Sequence, residues 1–222
     1  MTTINQTISL PVMESFYTLQ GEGFYQGKAA YFIRLGGCDV GCVWCDVKES
    51  WDASKHPKFT IEEIVEKAKA EIVLVAGSGS PETGNQKPVT PIVVITGGEP
   101  YMHNLDALTN ALHEAGFQVN IETSGSHPIS GHCDWICLSP KKFKAPLPEV
   151  VPFANELKVV IFHKSDFEWA EEFAAQVNPD CKLYLQPEWD KAATVTPLII
   201  DYIKSHPKWG LSLQVHKYIN VP

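Results

Sequence analysis

No Lys- or Arg-rich run interrupts this chain of 222 residues, and Lys and Arg number 18 against 26 Asp and Glu, a net charge of −8. A surface built to track phosphates needs the opposite balance, which argues against nucleic acid as a partner. Nor does any segment approach the roughly 18 apolar residues of a membrane span. The opening MTTINQTISLPVMES has no basic stretch followed by an apolar one, as a secretory leader would. These absences predict a cytoplasmic protein with no membrane attachment. There is no internal repeat. Cysteine is scarce at six residues, while 44% of the chain is hydrophobic, enough for one full core and hence a single domain over 1–222.

What is present alternates strand and helix signals. AYFIRL (30–35), IVVIT (92–96), FQVNIE (117–122), DWICLS (134–139), ELKVVIF (156–162), KLYLQ (182–186) and LSLQV (211–215) read as strands. Several are apolar nearly throughout, as strands covered on both faces are. Thr60 with Glu63 and Ser165 with Glu168 form capping boxes ahead of helical patterns. Asn104 caps LDALTNALHEA, which Gly116 ends, and Thr196 with Pro197 starts a helix through Ile203. Strand and helix recurring in this order predict an α/β fold with mostly parallel strands. The helices are too few for eight repeats, so the expectation is an incomplete, partial TIM-like barrel. AGSGSPETGNQKPVTP (76–91) reads as a turn-rich surface loop.

In such folds chemistry sits on loops leaving the carboxyl ends of strands. Cys38, Cys42 and Cys45 follow AYFIRL directly, and Gly37 and Gly41 let the backbone fold the three thiolates around one centre. A structural zinc wants four protein ligands and an electron-transfer cubane four cysteines. Three leave a position open, which favours catalysis over architecture; a zinc loop completed by a distant Cys or His is the alternative. Cys133, Cys137 and Cys181 read as small buried hydrophobes. His103, His127, His163 and His216 read as helix-start, loop or surface residues.

The C-x-x-x-C-x-x-C loop, Trp44 beside its last cysteine and "TGGEP" (96–100) after a later strand resemble the radical S-adenosylmethionine enzymes. "FYTLQGEGFYQGKAAYFIRLGGC", "VITGGEP", "IETSG", "SPK" and "HKYINVP" narrow the resemblance to the 7-carboxy-7-deazaguanine synthase family, from residue 16 to Pro222. That resemblance implies a 4Fe-4S cluster on Cys38, Cys42 and Cys45 whose fourth iron chelates S-adenosylmethionine. It implies a 5′-deoxyadenosyl radical and ring contraction of 6-carboxy-5,6,7,8-tetrahydropterin to 7-carboxy-7-deazaguanine with loss of ammonia, a lyase step of queuosine biosynthesis. A homodimer and a flavodoxin- or ferredoxin-type electron donor are implied too.

By the same resemblance Trp44, Asp46, Gly98, Glu99, Ser124, Ser139, Lys141 and Gln186 contact S-adenosylmethionine, its amino group being accepted by Glu99 or a carbonyl. Leu19, Gln20, Gly21, Glu22, Arg34, Thr96 and Pro222 contact the pterin. A guanidinium such as Arg34 suits the substrate carboxylate, and in the family the end of the chain accepts from the pyrimidinone amino group. One position departs: the family commonly reads Cys-Asp-Thr, its hydroxyl helping to hold magnesium, and here the sequence is Cys45-Asp46-Val47. A magnesium ion would then rely on substrate and water oxygens. Two other readings stand beside this one: an activating enzyme that places a glycyl radical on a partner, which shares the cysteine spacing, and a zinc-stabilised binding module.

Overall fold

The structure, a computed structural model, describes residues 8–76 and 90–222. The turn-rich segment expected over 76–91 therefore falls almost wholly outside the described residues. Among the described residues nine strands form one sheet in the order β3-β1-β2-β4-β5-β6-β7-β8-β9. They are β1 (Ser9–Leu19), β2 (Ala29–Leu35), β3 (Lys58–Thr60), β4 (Ile92–Gly97), β5 (Gln118–Thr123), β6 (Trp135–Leu138), β7 (Glu156–Ile161), β8 (Lys182–Pro187) and β9 (Trp209–Leu211). From β2 to β9 every pairing is parallel; β1 pairs antiparallel with both β2 and β3. The order runs from one edge to the other without closing, so the barrel is partial, as the strand and helix signals predicted. Among the described residues no helix is long and apolar enough to cross a membrane.

Helices α1 (Ile61–Ala76), α2 (Asp106–Glu114), α3 (Asp166–Ala174) and α4 (Ala192–Ser205) follow strands, and α5 (Val215–Ile219) closes the chain. They cover the outer sheet face in two clusters. Tyr31, Ile33, Leu35, Val93, Ile95, Val119 and Ile121 meet α1 and α2, while Leu157, Val159, Ile161 and Leu185 meet α3 and α4. Because side chains alternate along a strand, the residues between them point inward. At one end of the interior Ala30, Phe32, Ile92 and Val94, with Phe16 and Tyr25, form an apolar plug. Nearer the carboxyl ends the inward positions turn polar: Arg34 beside Thr96, Glu122 beside Cys137, Lys158 beside Tyr184. Charge buried inside a barrel has no structural use that apolar packing would not serve better, so the interior is built as a site.

Several local expectations hold and others need correction. The Thr60–Glu63 box forms, Glu63 N donating to Thr60 Oγ1 at 3.2 Å and Thr60 N to Glu63 Oε2 at 2.8 Å. The Ser165–Glu168 box does not: Ser165 makes no side-chain cap. Instead Asp166 accepts the N–H groups of Phe162 and His163, each at 2.7 Å. Asn104 acts one residue outside the cap position, accepting Asp106 N at 2.9 Å. Helix α4 starts at Ala192, so Pro197 lies inside it; the 3-10 turn Trp189–Lys191, pinned by Lys191 N donating to Glu188, runs straight into the helix. LSLQV is not a strand beyond Leu211, and Val215 opens α5. Strand β1 was not foreseen.

Candidate active site

The cluster loop leaves β2 at Gly36. Gly37, at φ 109°, donates to Ser50 O at 2.6 Å, and Cys38 N donates to Trp51 O at 3.1 Å, folding the loop back on the turn beyond it. His103 Nε2 donates to Gly36 O at 2.8 Å, and His127 and Lys144 both hold Asp39. Cys42 is buried and Cys38 and Cys45 half-buried; none is in a disulfide. Burial pushes the Cys38 thiol up and the Cys42 thiol to about 11. Thiols so placed ionise against the charge of a bound metal, which deprotonates a coordinating thiol outright. The donor set fits a metal cluster.

Gly97-Gly98-Glu99 leaves the neighbouring strand. Gly98 N donates to Leu35 O at 2.9 Å and Glu99 N to Gly37 O at 2.8 Å. A Cβ on Gly98 would strike the Gly37 carbonyl, so only glycine lets the two strand-end loops touch. The Glu99 carboxylate is buried and accepts four donors: Tyr101 N at 3.1 Å, Thr123 Oγ1 at 2.5 Å, Ser124 N at 2.8 Å and Ser124 Oγ at 2.5 Å. It is saturated, and it ties the ends of β4 and β5 together. Beyond β6, Lys141 Nζ donates to Ser139 Oγ at 2.5 Å and lies 5.3 Å from the centre of the Trp44 ring. At β8, Gln186 Oε1 accepts Ser212 Oγ at 2.7 Å, and that hydroxyl accepts Gly23 N at 3.0 Å.

The loop "TLQGEG" crosses the same mouth from β1. Gly21 packs on His216, where a Cβ would collide with the imidazole, and its carbonyl accepts Val215 N at 2.9 Å. Gln20 Nε2 donates to Glu122 Oε1 at 3.0 Å, Gln214 Nε2 donates to Glu22 Oε1 at 2.9 Å, and Lys158 pairs with Glu22. Burial alone would raise the Glu22 carboxyl, but the Lys158 ammonium outweighs it and holds the group below the ordinary carboxylate range. Arg34 stacks 5.3 Å from the Phe16 ring centre and pairs with Glu14. Lys217 Nζ donates to Asp46 Oδ2 at 2.8 Å, linking α5 to the cluster loop.

The thiol loop, the strand ends and the "TLQGEG" loop line one cavity of about 440 Å³. Cys38, Cys42 and Cys45, with Trp44 and Asp46, form one wall. Gly98, Glu99, Ser124, Ser139, Lys141 and Gln186 follow around the strand ends. Leu19, Gln20, Gly21, Glu22, Arg34, Thr96 and Pro222 complete it, and Val47 is part of the lining without a side-chain oxygen. Every residue that the family resemblance gives to the cluster, S-adenosylmethionine or the pterin lies in this lining. Sequence reasoning missed Glu122, Lys158 and Gln214, and it read His216, within the resembling "HKYINVP", as a helix-start, loop or surface residue although it lines the cavity. Lys158 sits in ELKVVIF, which reads as a buried apolar strand; a lysine in such a run was the available signal. Cys137 and Cys181 are buried, as expected, and Cys133 packs half-buried against the core.

A parallel, unclosed barrel with a polar cavity at its strand ends and three free thiols in the wall defines an α/β enzyme of the partial-barrel class. No family model matches the chain. Curated relatives named 7-carboxy-7-deazaguanine synthase do. That of Flavobacterium psychrophilum is 50% identical over 213 residues, 96% of this chain and 93% of its own. That of a Synechocystis species is 46% identical over 215 residues, 97% and 95%, and that of Escherichia coli K12 is 37% identical over 223, 95% and 98%. The crystal structure of QueE from Escherichia coli superposes with a TM-score of 0.75 at 32% identity, covering 94% of this chain and 95% of that one. The chain belongs to the 7-carboxy-7-deazaguanine synthase family.

Proposed function

We propose that this enzyme is a radical S-adenosylmethionine lyase that contracts 6-carboxy-5,6,7,8-tetrahydropterin to 7-carboxy-7-deazaguanine and ammonia. The observation that carries the reading is convergence: three thiols, the strand-end motifs and the "TLQGEG" loop, far apart in sequence, line one cavity. Family membership supplies the rest. Cys38, Cys42 and Cys45 hold the 4Fe-4S cluster. Bound there, the cluster and S-adenosylmethionine would supply one-electron radical chemistry. The protein's part is to bind, orient and exclude water.

Gly98, Ser124, Ser139, Lys141 and Gln186 ring the end of the cavity that takes S-adenosylmethionine, with Trp44 and Asp46 of the cluster loop. Because the Glu99 carboxylate is saturated, the acceptor for the methionine amino group in this reading is a backbone carbonyl of the Gly97–Glu99 turn, which Glu99 holds in place. Arg34 exchanges Glu14 for the substrate carboxylate, while Leu19, Gln20, Gly21, Glu22, Thr96 and Pro222 enclose the ring. Any magnesium rests on substrate and water oxygens beside Val47. A flavodoxin- or ferredoxin-type donor and a homodimeric assembly belong to the same reading.

Iron and sulfide analysis of anaerobically reconstituted protein tests it: about one 4Fe-4S per chain, abolished by Cys38→Ala, Cys42→Ala or Cys45→Ala and kept in Cys133→Ala. A protein that carries zinc and ignores S-adenosylmethionine would instead be the binding module, and the reading would fall.

A further inference from the structure

We propose that Lys158 is a positioning residue that holds Glu22 and Glu122, in the cavity wall, as hydrogen-bond acceptors for the pterin's amino-pyrimidinone edge. The inference rests on the pterin reading above and extends it to a residue that reading leaves without a role.

Lys158 points inward from the middle of β7 with only 5% of its side chain exposed. An ammonium is not buried without a partner to offset its desolvation, and the pairing here is specific. Its Nζ donates to Glu22 and lies 3.6 Å from Glu122. The two carboxylates come from different parts of the fold, the loop after β1 and strand β5. Each also takes a neutral amide donor, Gln214 for Glu22 and Gln20 for Glu122. One ammonium therefore serves two carboxylates that both line the cavity.

The other ionisable groups around Lys158 do not substitute for it. Glu156, two residues earlier on the same strand face, accepts Trp135 Nε1 at 3.0 Å and Phe24 N at 3.3 Å, and its Oε1 is buried without a partner. Burial pushes that carboxyl up. Cys137 on β6 and Tyr184 on β8 are both pushed up by burial, so they stay neutral. Lys141 is spent on Ser139 with its ammonium pushed down by burial, and burial likewise pushes down His216 beside Gly21. Arg34 is paired with Glu14.

The chemistry sets the requirement. A 2-amino-4-oxo pyrimidine edge presents a ring N–H next to an exocyclic amino group, two adjacent donors. An ionised carboxylate is acceptor-only and takes both; a protonated one offers an O–H where an acceptor is needed. Two half-buried carboxylates around one site, 14% and 25% exposed, need a cation between them to remain acceptors. Lys158 supplies that cation. Removing it takes away the ammonium that holds the Glu22 carboxyl down, so that carboxyl rises and substrate must then displace a proton to bind. Affinity is consequently lost as pH falls through the raised value and regained above it.

Anaerobic calorimetry of 6-carboxytetrahydropterin binding to reconstituted enzyme, over a range of pH and in buffers of different ionisation enthalpy, tests the idea. Wild-type enzyme should bind with no net proton release across neutral pH. Lys158→Met should release about one proton per ligand bound and lose affinity about tenfold per pH unit below the new pKa. Lys158→Arg should restore the flat profile. A Lys158→Met enzyme that binds more weakly by the same factor at every pH, without proton release, would show a merely structural lysine and overturn the proposal. Should Lys158→Met not fold, the wild type decides: release of about one proton at neutral pH would mean that the pair already carries it, and the proposal would fall. Wild-type protein that takes no pterin at all would instead contradict the function proposed above.

Discussion

Arg34 and Glu14 are register partners across the antiparallel β1–β2 pair, and Arg34 Nη1 donates to Glu14 Oε1 at 3.0 Å. The guanidinium thereby points along the cavity wall with Phe16 beneath it. Side-chain exposures of 25% and 45% make this a surface-type pair, worth at most about 1 kcal/mol. In the proposed reading a substrate carboxylate offering bidentate geometry outcompetes it. Arg34→Ala should weaken pterin binding by about 1.5–3 kcal/mol and leave S-adenosylmethionine binding unchanged. Glu14→Gln should tighten pterin binding by no more than about 1 kcal/mol. Equilibrium titration of each ligand against both variants checks the pair; an Arg34→Ala protein with wild-type pterin affinity would return Arg34 to a strand-pairing role.

Glu99 behaves as a fastener. Replacing it by Ala strands two buried N–H groups, those of Tyr101 and Ser124, and two hydroxyls. The expected loss is about 2–4 kcal/mol in denaturant unfolding, with S-adenosylmethionine affinity falling because the Gly97–Glu99 turn loses its anchor. Thr123→Val, which removes a hydroxyl that donates to Glu99 and accepts Gly125 N at 2.9 Å, should cost about 1–3 kcal/mol and leave that affinity within a few fold.

Asp166 gives a pH signature. Burial would raise its carboxyl, but Lys142 and the N–H groups of His163 and Phe162 outweigh that and hold it below the usual value of 3.8. A carboxyl depressed on folding stabilises the protein fully above its unfolded pKa and loses the contribution as pH falls through the folded one. Asp166→Asn should therefore unfold about 1–2 kcal/mol more easily than wild type at neutral pH. The gap should close only in strong acid. Urea unfolding of both proteins from neutral to acid pH measures it, and a gap constant with pH would assign the effect to packing.

Val47 stands in the cavity wall with its backbone carbonyl already accepting Ser50 Oγ at 2.7 Å. Val47→Thr returns an oxygen to the side chain at nearly constant volume. Magnesium should then half-saturate activity at a concentration about two- to tenfold lower, the worth of one neutral oxygen contact. Titration of chelator-treated enzyme compares the two forms. Equal magnesium dependence would place the metal elsewhere.

These predictions draw unequally on sequence and structure. The parallel strands were legible because IVVIT and its fellows are apolar on both faces, and the thiol loop because three cysteines share one strand end. Strand β1 was not, since SLPVMESFYTL is an edge-side antiparallel strand whose Pro11 and Glu14 break its pattern. LSLQV misled because Ser212 and Gln214 alternate with apolar residues as in a strand, yet their side chains are spent inside, on Gln186 and Glu22. Ser165 caps nothing because its backbone is already helical, and the neighbouring Asp166 carboxylate instead fastens the loop before α3 through Phe162 N and His163 N. Lys158 and Glu122 stayed hidden for a tertiary reason: their neighbours come from strands and loops up to 136 residues away, and no local pattern records that.

The central claim concerns the reaction, and one measurement addresses it directly. Reconstituted enzyme, S-adenosylmethionine, a chemical reductant and 6-carboxy-5,6,7,8-tetrahydropterin are incubated without oxygen, and 7-carboxy-7-deazaguanine and ammonia are quantified together. Substrate and product differ by the elements of ammonia alone, so the account predicts equal amounts of the two products, and none from Cys42→Ala. Cleavage of S-adenosylmethionine with no deazaguanine formed, or deazaguanine formed as well by Cys42→Ala as by wild type, would contradict it.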